Sequence, residues 1–498
     1  MNICFHGLKR ELDTNGLPSA CNQKEFLNRL SDSPSTLPSS NALLAAWKNT
    51  LRRSESRPAI LAASGEVLRT FAQIEQESED LRSLWADAPA GAVVGVRIGN
   101  HPGWPAVLLG LFSAGLVPLP LGDHLADQEV ARVLEHCRAA ACVISARGRL
   151  ALLEPVRSRV PDWPGRAPEF LKLTSGTTCA PRVIRFRACQ LLADCRNIMA
   201  SMAISEADLN YGVIPFSHSY GFSNLLTPLI ASGVRLVVSE DRMPRAMLDG
   251  LGRTGASVFP GTPLLFRKLT ELDAVPRLPS LRLCVSAGAL LPLAVAETFA
   301  AKFRLKIHAF YGASECGGIA FDRSAVPCEE GFVGTALDGV TVGGVIGGGE
   351  PGRVSVEGLA VGDGYLPGEP GLERGRFVPE DLIVGTPHGL KIVGRVSDLI
   401  NIAGRKLNPA AVEEKLRQCP MVREAVVFGV PSALRGEEAV ACVVAHPHGD
   451  SAGIQRFCAR ELSPWQVPKD VWFVSEIPTR EGGKLSRSSL AQMYLSRS

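Results

Sequence analysis

Residues 173–182 read Leu173-Thr174-Ser175-Gly176-Thr177-Thr178-Cys179-Ala180-Pro181-Arg182. Thr174 through Thr178 are all hydroxyl residues or glycine; a proline and a fixed positive charge follow. Backbone N–H groups without bulky side chains can close around phosphate oxygens, and the hydroxyls add donors. Arg182 is a cation that does not deprotonate. A polar turn between two strands would have the same composition. The stretch is not the phosphate loop of nucleotide hydrolases, which needs Gly, four residues, then Gly-Lys-Ser/Thr opening a helix. Here the apolar pair Val183-Ile184 follows instead.

Four later segments carry chemistry-bearing residues in a definite order. The first is Pro215-Phe216-Ser217-His218-Ser219-Tyr220-Gly221. The second is Ser286-Ala287-Gly288-Ala289 followed by Tyr311-Gly312-Ala313-Ser314-Glu315. A small-residue turn admits a flat aromatic ligand to the backbone, Tyr311 can stack on it, and Glu315 offers the oxygen donor a hard cation prefers. The third is Phe377-Val378-Pro379-Glu380-Asp381 with Gly394-Arg395-Val396-Ser397-Asp398. The fourth is Pro478-Thr479-Arg480-Glu481-Gly482-Gly483-Lys484-Leu485-Ser486-Arg487.

Together these segments resemble the adenylate-forming enzymes: acyl-CoA synthetases, aryl-CoA ligases, peptide-synthetase adenylation domains and luciferases. The resemblance covers residues 170–487, more loosely 110–120. It implies that Thr174, Ser175, Gly176, Thr177, Thr178 and Arg182 hold the phosphates of ATP. It implies that Ser286, Gly288, Ala289, Tyr311 and Gly312 border the adenine, and that Glu315 holds Mg²⁺. Asp381 would bind the ribose hydroxyls and Arg395 ribose or phosphate. Phe216, His218 and Tyr220 would wall the carboxylate pocket, and Lys484 would draw carboxylate and α-phosphate together. His218 and Arg395 join Lys484 as catalytic candidates. Ser397 would be a hinge, and Gly404, Arg405 and Lys406 would face coenzyme A.

The chain departs from the family pattern. Cys179 and Arg182 replace Gly and Lys, and Pro379 and Glu380 replace the Thr and Gly before the ribose Asp. A left-handed backbone at Cys179 would cost roughly 1–2 kcal/mol. The expected activity is ATP-dependent conversion of a fatty or aryl acid to an acyl-adenylate, with pyrophosphate released, then transfer to the thiol of CoA. Two alternatives stay open: transfer to a carrier protein's phosphopantetheine, and an impaired relative that binds nucleotide without turnover. The 215–221 segment has no acid to hold an amino group, which argues against amino-acid substrates.

Composition agrees with a large cytoplasmic enzyme. The 498 residues are 46% hydrophobic with a formal net charge of +3. That allows an extensive core, and with no basic run interleaved with aromatics it argues against nucleic-acid binding. The 13 cysteines contain no Cys-x-x-Cys pair, so free buried thiols in a reducing compartment are expected rather than zinc or disulfides. Neither a signal peptide nor a membrane span is evident; the apolar stretch 106–121 reads as a buried helix running into a strand. Oligomeric state is not legible.

Helical periodicity alternates with short apolar runs. Strands are expected at 93–96, 236–238 and 283–285, and helices at 106–114 and 290–303. This alternation predicts an α/β fold: a large N-terminal domain of layered α/β sheets. Gly- and Val-rich short strands over 331–364 suggest a small β-subdomain, with the glycines of 343–349 as turn residues. A smaller, mobile C-terminal α/β domain should follow, with a helix at 409–417 and strands at 424–429, 438–446 and 471–474. The expected boundaries are a polar extension over 1–41, a nucleotide-binding domain over 42–394, and a C-terminal domain over 395–498 with its hinge at 395–398.

Overall fold

The computed structural model describes residues 10–11, 41–123, 125–146, 148–153, 160–163, 166–174, 182–327, 329–344, 350–366, 371–373, 375–403, 405–432, 434–479 and 485–497. Two compact units emerge. The first comprises Met1–Glu329, Gly334–Val342 and Val356–Phe377; the second comprises Glu330–Val333, Gly343–Ser355 and Val378–Ser498.

The first unit is built on a run of parallel strands, each a short apolar stretch. Leu283–Ser286 pairs in parallel with Val258–Gly261 on one side and Ile307–Ala313 on the other. Leu209–Gly212, Arg235–Val238 and Pro58–Ala62 continue the sheet in parallel. Antiparallel strands follow at its edges, Gly317–Phe321 beside Ile307–Ala313 and Val67–Thr70 beside Pro58–Ala62. A second sheet places Val93–Arg97 parallel to both Val117–Pro120 and Ala141–Ala146. The helix Trp104–Ser113 feeds it, and Pro105 at its first turn needs no N–H partner. All but Ser113 of that helix is buried, which accounts for its uninterrupted apolar sequence. In open α/β sheets, ligand-binding residues collect where parallel strands end. Here those ends deliver Gly261, Ser286 and Ala313.

The strands Phe170–Leu173 and Val183–Phe186, which bracket the hydroxyl-rich segment in sequence, pair antiparallel, and Gly364–Leu366 pairs onto the second of them. The expected helix over 290–303 begins only at Leu293, because Pro292 sits in extended backbone at its N-terminus. Gly343, expected in a turn, instead ends the strand Val340–Gly343, which pairs within a sheet. Gly344 after it has φ of +82°, a left-handed backbone that suits glycine; residues 345–349 lie outside the described residues.

In the second unit, a long hairpin joins Val422–Ser432 to Gly436–Ala445, and Asp470–Phe473 lies parallel to the latter. Period-two alternation sends Val427, Ala439, Ala441 and Val443 to a core with Val412, Leu416 and Ile454. It sends Phe428, Val440 and Cys442 to a second core with Trp472 and Leu490. The helix Pro409–Arg417 falls on its expected residues. Nine cysteines among the described residues are free, and eight of them are buried.

Candidate active site

Thr174 and Arg182 flank the hydroxyl-rich segment, and the Thr174 N–H donates to the Arg182 carbonyl at 2.9 Å. The ladder of the two flanking strands therefore continues one step past them. Ser175, Gly176, Thr177 and Thr178 lie outside the described residues. The Arg182 guanidinium stands 5.5 Å from the ring centroid of Tyr365. The Tyr365 hydroxyl donates to Glu315 Oε1 at 3.1 Å, and the Glu315 carbonyl accepts from Gly362 N–H at 2.9 Å. Burial pushes the Tyr365 phenol well up from its ordinary value, and the Glu315 carboxylate pushes it further. It is a proton donor across the physiological range. Three separate segments thus bring a cation, a phenol and a carboxylate together.

The turn bearing Glu315 has a built shape. The ladder slips register between Tyr311 and Gly312, and a Cβ at Gly312 would stand 2.7 Å from the Gly317 carbonyl oxygen. Only glycine fits that bulge. Tyr311 is buried, Gly312 exposed and Glu315 half-buried.

The segment 215–221 lies beside this turn. Ser219 Oγ donates to Ser314 Oγ at 3.0 Å, and the Tyr220 hydroxyl donates to the Val285 carbonyl at 2.9 Å. Gly221 is required, since a Cβ there would overlap the Pro215 carbonyl. Phe216 and Tyr220 are buried; His218 is exposed. His218 Nδ1 accepts the Tyr220 N–H at 3.3 Å, so the neutral imidazole carries its proton on Nε2. Ser286 Oγ, 2% exposed, has no hydrogen-bond partner among the described residues. Gly288 and Ala289 follow it as exposed residues, and nothing lies within 4 Å of a Cβ at Gly288. An orphaned hydroxyl beside open backbone suits a ligand with polar edges and a flat face.

In the second unit, Asp381 and Arg395 are cross-strand partners, and Arg395 Nε lies 3.1 Å from Asp381 Oδ1. Ser397 is exposed in the short 3₁₀ turn Val396–Asp398. Arg405 and Lys406 are exposed on the strand Arg405–Leu407, and Arg405 stands 5.5 Å over the Trp465 ring. Gly404 and Lys484 lie outside the described residues. Arg487 closes a network that no motif reading assigned. It donates to Asp398 at 2.6 Å, to the buried Glu413 at 2.7 Å and to the Val427 carbonyl at 2.9 Å.

Sequence reasoning missed Tyr365, whose only signal was an aromatic following Gly364. It also missed Lys172, although a lysine inside Phe170-Leu171-Lys172-Leu173 is conspicuous. Glu315, a half-buried carboxylate with a fixed hydroxyl partner, fits one protein ligand of Mg²⁺, an ion that takes phosphates and water for the rest of its octahedron.

Comparison with known proteins gives the family. The model of the AMP-binding enzyme family matches residues 47–366, and that of the AMP-binding enzyme C-terminal domain matches residues 411–484. The sulfoacetate–CoA ligase of Cupriavidus necator is 25% identical over 482 residues, covering 87% of this chain and 94% of that protein. A feruloyl-CoA synthase of Amycolatopsis is 26% identical over 497 residues, covering 91% and 99%. The crystal structure of ATP-bound MatB from Rhodopseudomonas palustris shares the fold with a TM-score of 0.81 at 21% identity, covering 91% and 99%. With the family model spanning well over half of its length, this chain belongs to the AMP-binding enzyme family.

Proposed function

We propose that this chain is an AMP-forming acid–thiol ligase that activates a fatty or aryl carboxylic acid with ATP and passes the acyl group to coenzyme A. The observation that carries the reading is the Arg182–Tyr365–Glu315 grouping at the foot of the hydroxyl-rich segment. It gathers a carboxylate, a phenol and a guanidinium beside the point where the chain enters and leaves that segment. The sulfoacetate–CoA ligase and the feruloyl-CoA synthase, both matched along more than nine-tenths of their length, support the same reading.

A carboxylate is a poor electrophile because its charge repels nucleophiles and oxide is a bad leaving group. Attack on the α-phosphate makes a mixed anhydride and expels pyrophosphate, and AMP then becomes the leaving group. The protein's task is alignment and neutralisation of charge. Arg182 would balance the departing phosphates, and Glu315 would hold Mg²⁺, which supplies further charge neutralisation when bound. His218, whose Nδ1 is taken by the Tyr220 N–H, would donate from Nε2 to the acid. Ser286 Oγ and the open backbone at Gly288 would meet the base. Asp381 and Arg395 would meet the ribose once their mutual ion pair opens to it. Lys484 would join the two anions in the first half-reaction. The second would follow rotation about Ser397, with Gly404, Arg405 and Lys406 lining the thiol's path. In this reading the functional division is a nucleotide-binding domain over 42–394 and a C-terminal domain over 395–498, which assigns 378–394 to the former although those residues cluster with the second compact unit.

The test is pyrophosphate exchange over a panel of fatty and aromatic acids, followed by CoA or holo carrier protein as thiol. Exchange with at least one acid and adenylate consumption by CoA are expected. Lys484→Ala should abolish exchange while sparing thioester formation from a supplied acyl-adenylate. Acid-independent ATP binding without exchange, or equal loss of both half-reactions in the variant, would reject the reading.

A further inference from the structure

The strand Phe170–Leu173 leads into the phosphate-binding segment, and Lys172 is out of keeping with its neighbours. The side chain is 4% exposed. Its Nζ stands 4.6 Å from the centroid of Phe186 and 5.7 Å from that of Phe222. Its three N–H donors find no acceptor among the described residues. A buried ammonium without hydrogen bonds is costly, and a sequence seeking only core volume would place an apolar residue here. The two ring faces offer the electrostatic attraction that a cation takes from aromatics. Phe222, one of the two rings, is followed by Ser223, whose hydroxyl donates to Asp194, so that carboxylate is tied to the chain beside that ring. Burial lowers the Lys172 pKa from the ordinary lysine value, and Asp194 is the strongest influence opposing that shift.

Asp194 lies in the helix Ala188–Ser201 and is 2% exposed. Its carboxylate accepts the Ser223 hydroxyl at 2.6 Å and the Gly318 N–H at 2.9 Å. Gly317 has φ of +72°, and a Cβ there would overlap Asp194 Oδ1. Gly317 and Gly318 begin the strand that returns from Glu315. The Asp194 carboxylate is therefore wedged under the turn that presents Glu315. A carboxylate taken out of water needs a compensating charge.

We propose that Lys172 is a positioning residue: its buried ammonium, cradled by Phe186 and Phe222, balances Asp194, and Asp194 grips the backbone at Gly317–Gly318 so that Glu315 faces the magnesium nucleotide. This rests on the reading of Glu315 given above. Neither Lys172 nor Asp194 touches substrate in this role.

Lys172→Met keeps the stem length and the ring contacts and deletes the charge. Two readouts judge it on the full-length protein. The first is hydrogen exchange of the 311–321 segment without ligand, where the Gly318 amide should exchange faster in the variant. The second is calorimetric titration with MgATP and with ATP plus chelator. MgATP binding should weaken about tenfold, as for loss of a group that orients a metal ligand, while metal-free ATP changes by less than about twofold. Asp194→Asn alone should also weaken MgATP binding, because it strands the lysine. The double variant K172M/D194N leaves neither charge unbalanced, and its affinity should return to within about threefold of the wild type, a coupling that independent sites would not show. Equal weakening of both forms of ATP, or losses in the double variant that simply multiply, would overturn the proposal. If K172M alone does not fold, the double variant decides: restored folding and amide protection support the pair, and failure alike overturns it. A wild type that binds no MgATP would sink the ligase reading, while the exchange data would still judge the Lys172–Asp194 pair.

Discussion

At the scale of single residues, Tyr365 ties the site together. Its hydroxyl fixes one oxygen of Glu315 and its ring faces Arg182, so one side chain sets the orientation of two groups from distant parts of the chain. Hydrogen bonds to charged groups are each worth about 1.5–3 kcal/mol. Tyr365→Phe keeps the ring and deletes the donor. KM for MgATP in pyrophosphate exchange should rise about tenfold, the lower end of that range, with KM for the acid little changed. An unaltered KM for MgATP would show that Glu315 is oriented without the phenol. Gly317 and Gly221 are set by a different constraint, close approach, and a side chain at either must displace backbone or a buried carboxylate.

At the scale of elements, the strand Ile307–Ala313 links core to site. Its C-terminal end forms the Tyr311–Gly312 bulge, and its N-terminal half carries His308. The His308 Nδ1–H donates to the Asp322 carbonyl at 2.8 Å, and the ring stacks on Phe321 at 5.4 Å. Burial lowers the His308 pKa, with neighbouring Lys306 acting in the same direction, so the folded state holds the neutral imidazole. The unfolded chain, whose histidine titrates near about 6.5, takes up its proton first as pH falls. Stability contributed by this group is therefore complete above that value and declines below it, down to the folded pKa. His101 is shifted in the same sense by burial and adds to the effect. Between pH 7.5 and pH 5.5 the wild type should lose more stability in denaturant melts than His308→Gln does. Equal losses would mean that His308 does not titrate differently on folding.

At the scale of the whole molecule, each compact unit has its own cores, and in the second they lie on the two faces of one sheet. Arg487 is the buckle of that second unit, joining the 396–398 turn, the helix Pro409–Arg417 and the central hairpin. Removing one partner of a buried ion pair strands the other, at about 3 kcal/mol or more. Calorimetry of the full chain should resolve two transitions, and Arg487→Ala should lower only that of the smaller unit. A single transition that moves as a whole would reject independent cores. No helix among the described residues is long and apolar enough to cross a membrane.

Much of this enzyme is legible without coordinates, because local chemistry dictates it. Apolar runs such as 283–285 and 236–238 read as buried strands, proline at position 409 opens a helix, and the ordered series of small, hydroxyl and charged motifs points to the AMP-binding enzyme family. Element ends were less legible where a proline or a pairing partner shifts them, as at Leu293 and along Val422–Ser432. Only the tertiary structure paired Asp381 with Arg395, joined Tyr365 to Glu315 across 50 residues, and placed Lys172 between two phenylalanine rings. Sequence patterns record periodicities of a few residues along one element. Which side chains meet across elements is decided by packing, register and charge compensation, and no single segment carries that information.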